Sequence, residues 1–194
     1  MSVVCDHGII DLIDKGLVDF SRSDTDYQTV IKQVNPNTLD LSLGRFIRWP
    51  MEAEGEVIFG REHRSELFWE LREIDESKGI LLRPGDIFLG STREFLCMPS
   101  DVCGQVYTKS SLGRLFINHM MAGVIDAGFA GTITLELKNE GKHNVVIPYG
   151  ARVVQIQLSR LEAVPDRDYS KRVNRYHGQI MPETAREERN GAAA

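Results

Sequence analysis

The chain has 194 residues, of which 42% are hydrophobic and 26% charged, and its formal net charge is −5. This length suits one globular domain, whereas the acidic balance argues against a general nucleic-acid binder, which needs a broad basic face. No apolar run approaches the roughly 18 residues of a membrane-spanning helix, and the first residues lack the pattern of a secretion signal, so we expect a cytoplasmic protein.

Apolar spacing predicts one short helix near the start of the chain and many short strands after it. The helix covers residues 6–17, with Asp6 as its N-cap and Gly16 near its end, and its apolar face consists of Ile9, Ile10, Ile13 and Leu17. From residue 34 onward, Pro and Gly separate short strand-forming runs. The predicted strands cover residues 39–43, 46–49, 56–59, 79–82, 87–91, 94–98, 104–108, 131–138, 144–147 and 152–158. This density predicts a mainly β sandwich or barrel with few helices.

The domain organisation is simple. Residues 1–182 form one predicted β domain, with a single helical turn at residues 111–115. The acidic stretch 62–76 is an apparent insertion near the site, in which Leu67, Phe68 and Leu71 fit one face of a helix. Residues 183–194 are polar and then featureless, so we predict a disordered tail.

A glycine-rich turn places two carboxylates close together in residues 122–136, which read A-G-V-I-D-A-G-F-A-G-T-I-T-L-E. A short apolar run leads to Asp126, and Gly128 and Gly131 build the turn. In the strand that follows, one face carries Thr132, Thr134 and Glu136, and the other carries Ile133, Leu135 and Leu137. Glu136 is therefore either solvated or set in a polar pocket.

The run K-S-S-L-G-R at residues 109–114 has the composition of a phosphate-binding segment. Hydroxyls and backbone N–H groups donate to phosphate oxygens, glycine allows a close approach, and arginine offers a planar fork. Neither G-x-x-x-x-G-K-[ST] nor G-x-G-x-x-G occurs, so neither standard nucleotide-binding loop is present. The candidate phosphate ligands are Lys109, Ser110, Ser111, Gly113 and Arg114.

Together these segments resemble the dCTP deaminase and trimeric dUTPase superfamily. K-S-S-L-G-R is similar to its phosphate motif R-S-S-L-[AG]-R, with Lys109 in place of the first Arg. A-G-V-I-D-A-G-F-A-G resembles the uracil-side motif of dUTPases, and T-L-E-L resembles the deaminase strand that carries a catalytic Glu. Residues 5–10, 37–44 and 82–86 also match in order and spacing. Tyr169 and R-Y-H-G-Q at residues 175–179 resemble the closing segment that folds over the triphosphate.

The resemblance implies a dUTPase-like distorted β-barrel or jelly-roll sandwich that forms homotrimers, in which one subunit completes the pocket of another. Glu136 would be the acid/base group, Asp126 would orient a water, and Arg114 would stabilise a charged intermediate. The backbone carbonyls of Met120 and Ala122 would hold the attacking water. The remaining substrate-binding candidates are Thr134, Leu135, Tyr169, Arg175 and Gln179, with Lys171 and Arg172 as further cations.

The activity implied by the resemblance is deamination of dCTP to dUTP. Single-activity deaminases carry His where this chain has Gly123, so the A-G-V-I-D run favours a bifunctional enzyme that also cleaves dUTP to dUMP and pyrophosphate. We expect Mg²⁺ to be held through the substrate phosphates, without direct side-chain ligands. Zinc is not expected, because H-x-E and P-C-x-x-C are absent and Cys5, Cys97 and Cys103 have no metal-ligand spacing.

Two alternative functions stay open, and both keep the nucleotide as the small-molecule partner. The first is a dUTPase in which Glu136 no longer deaminates, and the second is a non-enzymatic β module that senses nucleotides. His119 is either a core histidine or a pocket residue. Leu115, Phe116 and Ile117 are predicted to line a threefold axis between subunits.

Overall fold

A computed structural model describes residues 2–56, 67–119, 123–171 and 176–186 of the protein, and most of its regular structure is β-sheet. The predicted mainly β fold is confirmed. The strands of the described residues are β1 (Ser2–Val3), β2 (Leu39–Pro50), β3 (Trp69–Glu73), β4 (Ile80–Leu82), β5 (Ile87–Thr92), β6 (Leu96–Cys97), β7 (Val102–Thr108), β8 (Ile117–His119), β9 (Val124–Ile125), β10 (Ala130–Gly131), β11 (Thr134–Asn139), β12 (Val145–Ile147) and β13 (Arg152–Arg160). The helices are α1 (Asp6–Asp14), α2 (Tyr27–Ile31) and α3 (Ser110–Gly113), with a 3-10 turn at Tyr169–Lys171.

One large curled antiparallel sheet organises the molecule, in the order β8-β11-β5-β2-β13-β7-β9. Strand β1 adds to β13 and β3 adds to β2, while β10 with β6 and β12 with β4 form two small sheets. Strand β2 pairs with β13 through its first half and with β5 further along, and its register against β5 shifts between Leu43 and Ile47. Such an irregularity bends a strand, so β2 can serve both halves of the sheet.

Alternation along β11 decides which side chains reach the core. Leu135 and Leu137 are fully buried, and Leu137 lies opposite the buried Phe88 of β5. Burying each such side chain contributes roughly 1.5–3 kcal/mol, which fixes the register of the strand. Thr134 and Glu136 must therefore point to the opposite face, as predicted.

Helix α1 begins at Asp6, so its N-cap lies one residue earlier than predicted. Its N-cap is Cys5, which has extended backbone and makes no side-chain cap bond, so the prediction of Asp6 as N-cap is wrong. As the first helical residue, Asp6 instead places a carboxylate at the positive end of the helix. Gly16 follows the helix with a φ of 96°, a conformation that favours glycine, as its predicted place near the helix end requires.

Several predicted boundaries change. Predicted strands 39–43 and 46–49 are one strand, β2, and residues 69–73 of the predicted insertion form β3 rather than a helix face. Residues 57–59 and 62–66 lie outside the described residues. Ile117 is only 1% exposed, so it cannot line a subunit contact, whereas Leu115 and Phe116 are exposed. In the described ranges, no helix has both the length and the apolar character needed to cross a lipid bilayer.

Candidate active site

A cavity of about 460 Å³ lies between the face of β11 that carries Glu136 and a segment near the C-terminus. We call residues 176–186 the strap, because they run across this face. The cavity brings together five of the predicted site residues, which are Asp126, Thr134, Glu136, Tyr169 and Gln179. Trp69, in the unpredicted strand β3, also lines it. The glycine-rich turn, β11 and the closing segment thus meet at one site.

Glu136 faces a buried histidine across the pairing of β11 with β8. His119 Nδ1 lies 3.6 Å from Glu136 Oε2, and the His119 side chain is only 3% exposed. Neither ring nitrogen of His119 nor Oε2 of Glu136 has a hydrogen-bond partner in the described structure. Burial lowers the pKa of His119, and the nearby carboxylate offsets part of this effect. His119 is therefore buried beside Glu136 and is not among the described residues that line the cavity, which fits the core-histidine alternative.

Asp126 occupies the exposed end of the glycine-rich turn. The Phe129 amide donates to its backbone oxygen at 3.2 Å. Gly128 has a φ of 81°, and a Cβ there would lie 2.9 Å from Cγ of Asp168, so the turn requires glycine at this position. This close packing holds Asp126 at the rim of the cavity, where its carboxylate remains accessible.

Tyr169 is fixed against the same turn by its backbone and by its ring. The Tyr169 amide donates to the Ala127 oxygen at 2.8 Å, and its ring centroid lies 5.4 Å from that of Phe129 in an edge-to-face arrangement. The preceding Asp168 accepts from the Ser170 hydroxyl at 2.6 Å, which lowers the pKa of that carboxyl. Tyr169 therefore reaches the cavity from a well-supported segment.

The strap is joined to the start of β11 through Gln179. The side-chain nitrogen of Gln179 donates to the main-chain oxygen of Thr132 at 2.6 Å and to Thr134 Oγ1 at 3.3 Å. The main-chain oxygen of Gln179 accepts from the Thr132 amide at 2.9 Å. The Glu183 amide also donates to Thr134 Oγ1. The predicted disordered tail is therefore too long at its start, since residues 183–186 pack at the site, and residues 187–194 lie outside the described residues.

The phosphate-binding segment does not reach this cavity within one chain. Ser110, Ser111 and Gly113 belong to α3, and they and Arg114 are exposed at the surface. None of them is among the described residues that line the cavity, and the Leu135 side chain is buried on the other face of β11. Met120, Ala122, Arg172 and Arg175 lie outside the described residues.

Lys109 has a partner that the sequence analysis did not identify. Its ammonium group binds the carboxylate of Asp40, whose side chain is completely buried in β2. Arg152 Nη1 lies 3.3 Å from the same carboxylate oxygen, and Asn35 donates to the other oxygen at 3.0 Å. Asp40 lies in the matched run 37–44 and Asn35 lies just before it, so this run was the sequence feature that could have pointed to them. No sequence feature pointed to Arg152, because its approach to Asp40 depends on the pairing of β13 with β2.

Comparison with known proteins identifies the family of the chain. The model of the dCTP deaminase-like family matches residues 5–161. The chain is 38% identical over 158 residues to the "dCTP deaminase, dUMP-forming" of Dictyoglomus thermophilum, covering 80% of this chain and 81% of that protein. It is 34% identical over 157 residues to the "dCTP deaminase" of Natronomonas pharaonis, covering 79% and 80%.

A solved structure extends the comparison to the fold. The crystal structure of 2'-deoxycytidine 5'-triphosphate deaminase from Agrobacterium tumefaciens superposes with a TM-score of 0.62 at 26% identity. The match covers 80% of this chain, but the chain spans only 46% of that protein's length. On the family match, the relatives and the shared fold, the chain belongs to the dCTP deaminase-like family.

Proposed function

We propose that this protein deaminates dCTP and hydrolyses the resulting dUTP to dUMP and pyrophosphate. The observation that carries the proposal is the position of Glu136, which lines the cavity and has a carboxylate oxygen without a hydrogen-bond partner in the described structure, 3.6 Å from the buried His119 ring. The relative from Dictyoglomus thermophilum is named "dCTP deaminase, dUMP-forming", which supports the bifunctional reaction. We place the activity in the cytoplasm.

Glu136 is the proposed acid/base group for deamination. A water attacks C4 of cytosine, and the carboxylate accepts a proton from that water and delivers it to the ring nitrogen N3. The carboxylate then carries the proton of the new C4 hydroxyl to the exocyclic amino group, and the C4–N bond breaks to release ammonia and leave the C4 carbonyl of uracil. Because His119 is buried and its pKa is lowered, it is the neutral imidazole that faces Glu136 near pH 7. His119 therefore adds no charge beside the carboxylate, and no hydrogen bond joins the two groups.

Hydrolysis of dUTP needs a different group, for which Asp126 is the candidate. In this step a water attacks the α-phosphorus and pyrophosphate leaves, so negative charge increases on the phosphate oxygens. Asp126 lies exposed at the rim of the cavity, where it can orient the water from the sugar side. A Cβ at Gly123 would meet Val106 O at 3.5 Å, an ordinary contact, so the backbone does not demand glycine there.

Mg²⁺ is proposed to bind through the phosphates of the substrate. Among the described residues, the one group of three potential metal ligands is Cys5, Asp6 and His7, at the start of α1 and outside the cavity. Mg²⁺ takes oxygen ligands, which the phosphates of the substrate and water would supply. When bound, the ion would neutralise charge on the triphosphate.

The complete site is proposed to form between subunits of a homotrimer. Glu136 and Asp126 line the cavity, whereas Ser111 and Arg114 are exposed elsewhere on the same chain. A neighbouring copy can present its phosphate-binding segment to this cavity, and the exposed Leu115 beside that segment would then be covered. Tyr169 and Gln179 are proposed to contact the substrate from the closing side, together with Arg175.

The test is to incubate the purified protein with dCTP and Mg²⁺ and to separate the products by ion-exchange chromatography. The proposal expects dUMP, pyrophosphate and ammonia. Formation of dUTP alone would remove the hydrolysis step, and cleavage of added dUTP without any turnover of dCTP would leave a plain dUTPase. If neither nucleotide reacts, the result favours the alternative of a non-enzymatic nucleotide-sensing module.

The substitution Glu136→Gln isolates the acid/base role. It keeps the size of the side chain but removes the proton acceptor, so ammonia release should fall by roughly a hundredfold or more while triphosphate binding stays intact. Glu140→Gln is the matched control, because Glu140 is exposed and follows the same strand. Deamination by Glu136→Gln at the rate of the control would exclude Glu136 from this role.

A further inference from the structure

A second cavity, of about 470 Å³, lies beside the strap and apart from the Glu136 cavity. Ile180 and Met181 of the strap line it, whereas the neighbouring Gln179 lines the proposed active site. Three arginines, Arg22, Arg45 and Arg93, converge on this second cavity from three different segments of the chain. Nothing in the proposed reaction uses them.

Arg22 and Arg93 are held in place without any ion-pair partner in the described part of the chain. The guanidinium of Arg22 lies 3.7 Å from the centroid of the buried Phe95 ring, and its Nη2 donates to the Gly178 oxygen at 3.3 Å. Arg93 Nε donates to the main-chain oxygen of Asp24 at 2.6 Å, and the Arg93 guanidinium lies 5.0 Å from the centroid of the Tyr149 ring. Both cations are therefore preorganised and keep N–H groups free to bind a ligand.

The cations around the cavity are offset to different degrees by nearby carboxylates. Arg45 is neutralised by ion pairs with Glu73 and Glu76, which raise its pKa further above its already high value. The nearby carboxylate of Asp24 accepts from the Tyr149 hydroxyl and opposes one of the two remaining cations. The Asp19 carboxylate also interacts with Arg22, so the attraction for an anion comes from the two guanidinium groups themselves and not from a net positive charge.

The rest of the lining has a different character. Phe46, Ile180 and Met181 contribute apolar surface, and Ile180 is 60% exposed. Burying such surface under a ligand is favourable in proportion to the apolar area covered. A bare inorganic anion would leave these side chains in water, so the lining suits a ligand that joins an anionic group to an apolar body.

We propose that this cavity binds a small organic phosphate, with its phosphate group on Arg22 and Arg93 and its apolar body against Phe46 and Ile180. Guanidinium groups bind phosphate oxygens in pairs of charge-assisted hydrogen bonds. The same groups also accept a carboxylate, so the test compares the two anions. This inference does not rest on the proposed reaction, and its test requires no turnover.

The probe is phenyl phosphate, titrated by isothermal calorimetry into an Arg114→Ala variant, which removes a cation of the other phosphate-binding segment. We expect binding that weakens about tenfold or more in Arg22→Gln and in Arg93→Gln, each added to that background. Arg83→Gln is the matched control, because Arg83 is exposed and is not among the residues that line the cavity. It should leave the affinity unchanged.

Two further ligands test the chemistry of recognition. Phenol, which lacks the anion, should bind at least about tenfold more weakly than phenyl phosphate, and benzoate should be intermediate because it offers fewer acceptor oxygens. Binding of phenol as tight as that of phenyl phosphate, or affinities unchanged by Arg22→Gln and Arg93→Gln, would overturn the proposal. So would the absence of any binding of phenyl phosphate. Circular dichroism spectra establish that each variant is folded.

Discussion

Phe116 has a backbone conformation that bulky residues avoid. Its φ is 59°, and among the described residues it is the one non-glycine residue with a positive φ. Two main-chain hydrogen bonds hold this conformation, from the Phe116 amide to Gly113 O and from the Glu140 amide to Phe116 O, each at 2.9 Å, whereas the side chain is 67% exposed. It lies just after Arg114 and the short helix α3. Strain of this kind at an exposed aromatic residue points to a contact outside the single chain.

Phe116→Gly should therefore stabilise the isolated subunit. Relief of the left-handed backbone gains roughly 1–2 kcal/mol, and the added freedom of the unfolded chain removes about half of that gain. Leu115→Gly is the control, since Leu115 is similarly exposed but has an ordinary φ, and it should be destabilising. Urea unfolding measures both variants. A loss of stability in Phe116→Gly that grows with protein concentration would instead show that a partner subunit buries the ring.

His119 makes a second prediction, which concerns pH. Burial lowers its pKa below the ordinary value of 6.5, so the unfolded chain binds a proton more readily than the folded protein does. Stability should fall as the pH drops below about 6.5, and this part of the loss should be absent in His119→Gln. His143→Gln, at an exposed histidine, should behave as the wild type. The measurement is the change in the urea unfolding midpoint between about pH 7.5 and about pH 5.5. An equal change in the wild type and in both variants would contradict the prediction.

Single residues also show how far the sequence can locate a site. The candidates Asp126, Glu136 and Gln179 were predictable because each belongs to a contiguous motif, and the fold brings all three to one cavity. The closeness of His119 to Glu136 could not be predicted, since it depends on the register of β8 against β11. The substrate roles of Asp126, Glu136 and Gln179 stay predictions.

At the level of elements, β2 connects the phosphate-binding segment to the core. It carries Asp40, whose buried carboxylate binds both Lys109 and Arg152. Lys109, the first residue of the K-S-S-L-G-R run, is thus held by a neighbouring strand, which fixes where α3 begins. The lysine at this position can act through structure as well as through phosphate contact.

Removing the Lys109 charge should test that anchor. Lys109→Met leaves the buried Asp40 carboxylate with one cation fewer beside it. This loss should lower the free energy of unfolding of the ligand-free protein by roughly 2–4 kcal/mol. Lys138→Met is the control, because Lys138 pairs with Glu140 at 3.9 Å on the surface, and it should change stability by less than about 1 kcal/mol. Equal effects of the two substitutions would mean that the Asp40 contact does not stabilise the fold.

The elements that the sequence predicted are those with strong local signals. Strands β5, β7, β12 and β13 lie close to their predicted ranges because alternation and flanking Pro or Gly identify them. Strand β3 was missed because its acidic, half-exposed residues become a strand only by pairing with β2, about twenty residues earlier in the chain. Pairing between distant segments is a tertiary effect, which a local pattern does not encode.

At the scale of the whole molecule, the separation of the two halves of the site has a measurable consequence. If Glu136 of one copy works with Arg114 of another, then Glu136→Gln and Arg114→Ala are each inactive but complement each other. Random mixing of the two variants into trimers leaves about a quarter of the sites with both groups intact. Mixing, partial unfolding and refolding should therefore restore about a quarter of wild-type deamination. A mixture as inactive as its components would place both groups within one chain.

The strap also determines when the site can exist. Gln179 lies 45 residues after Thr134, to which it donates, and at about 5–20 residues per second that interval takes a ribosome roughly 2–9 seconds. During this time the Thr132 amide and carbonyl have no partner from the strap, and the Glu136 cavity lacks one wall. A nascent or prematurely terminated chain can therefore form its sheet and still be unable to act on a nucleotide.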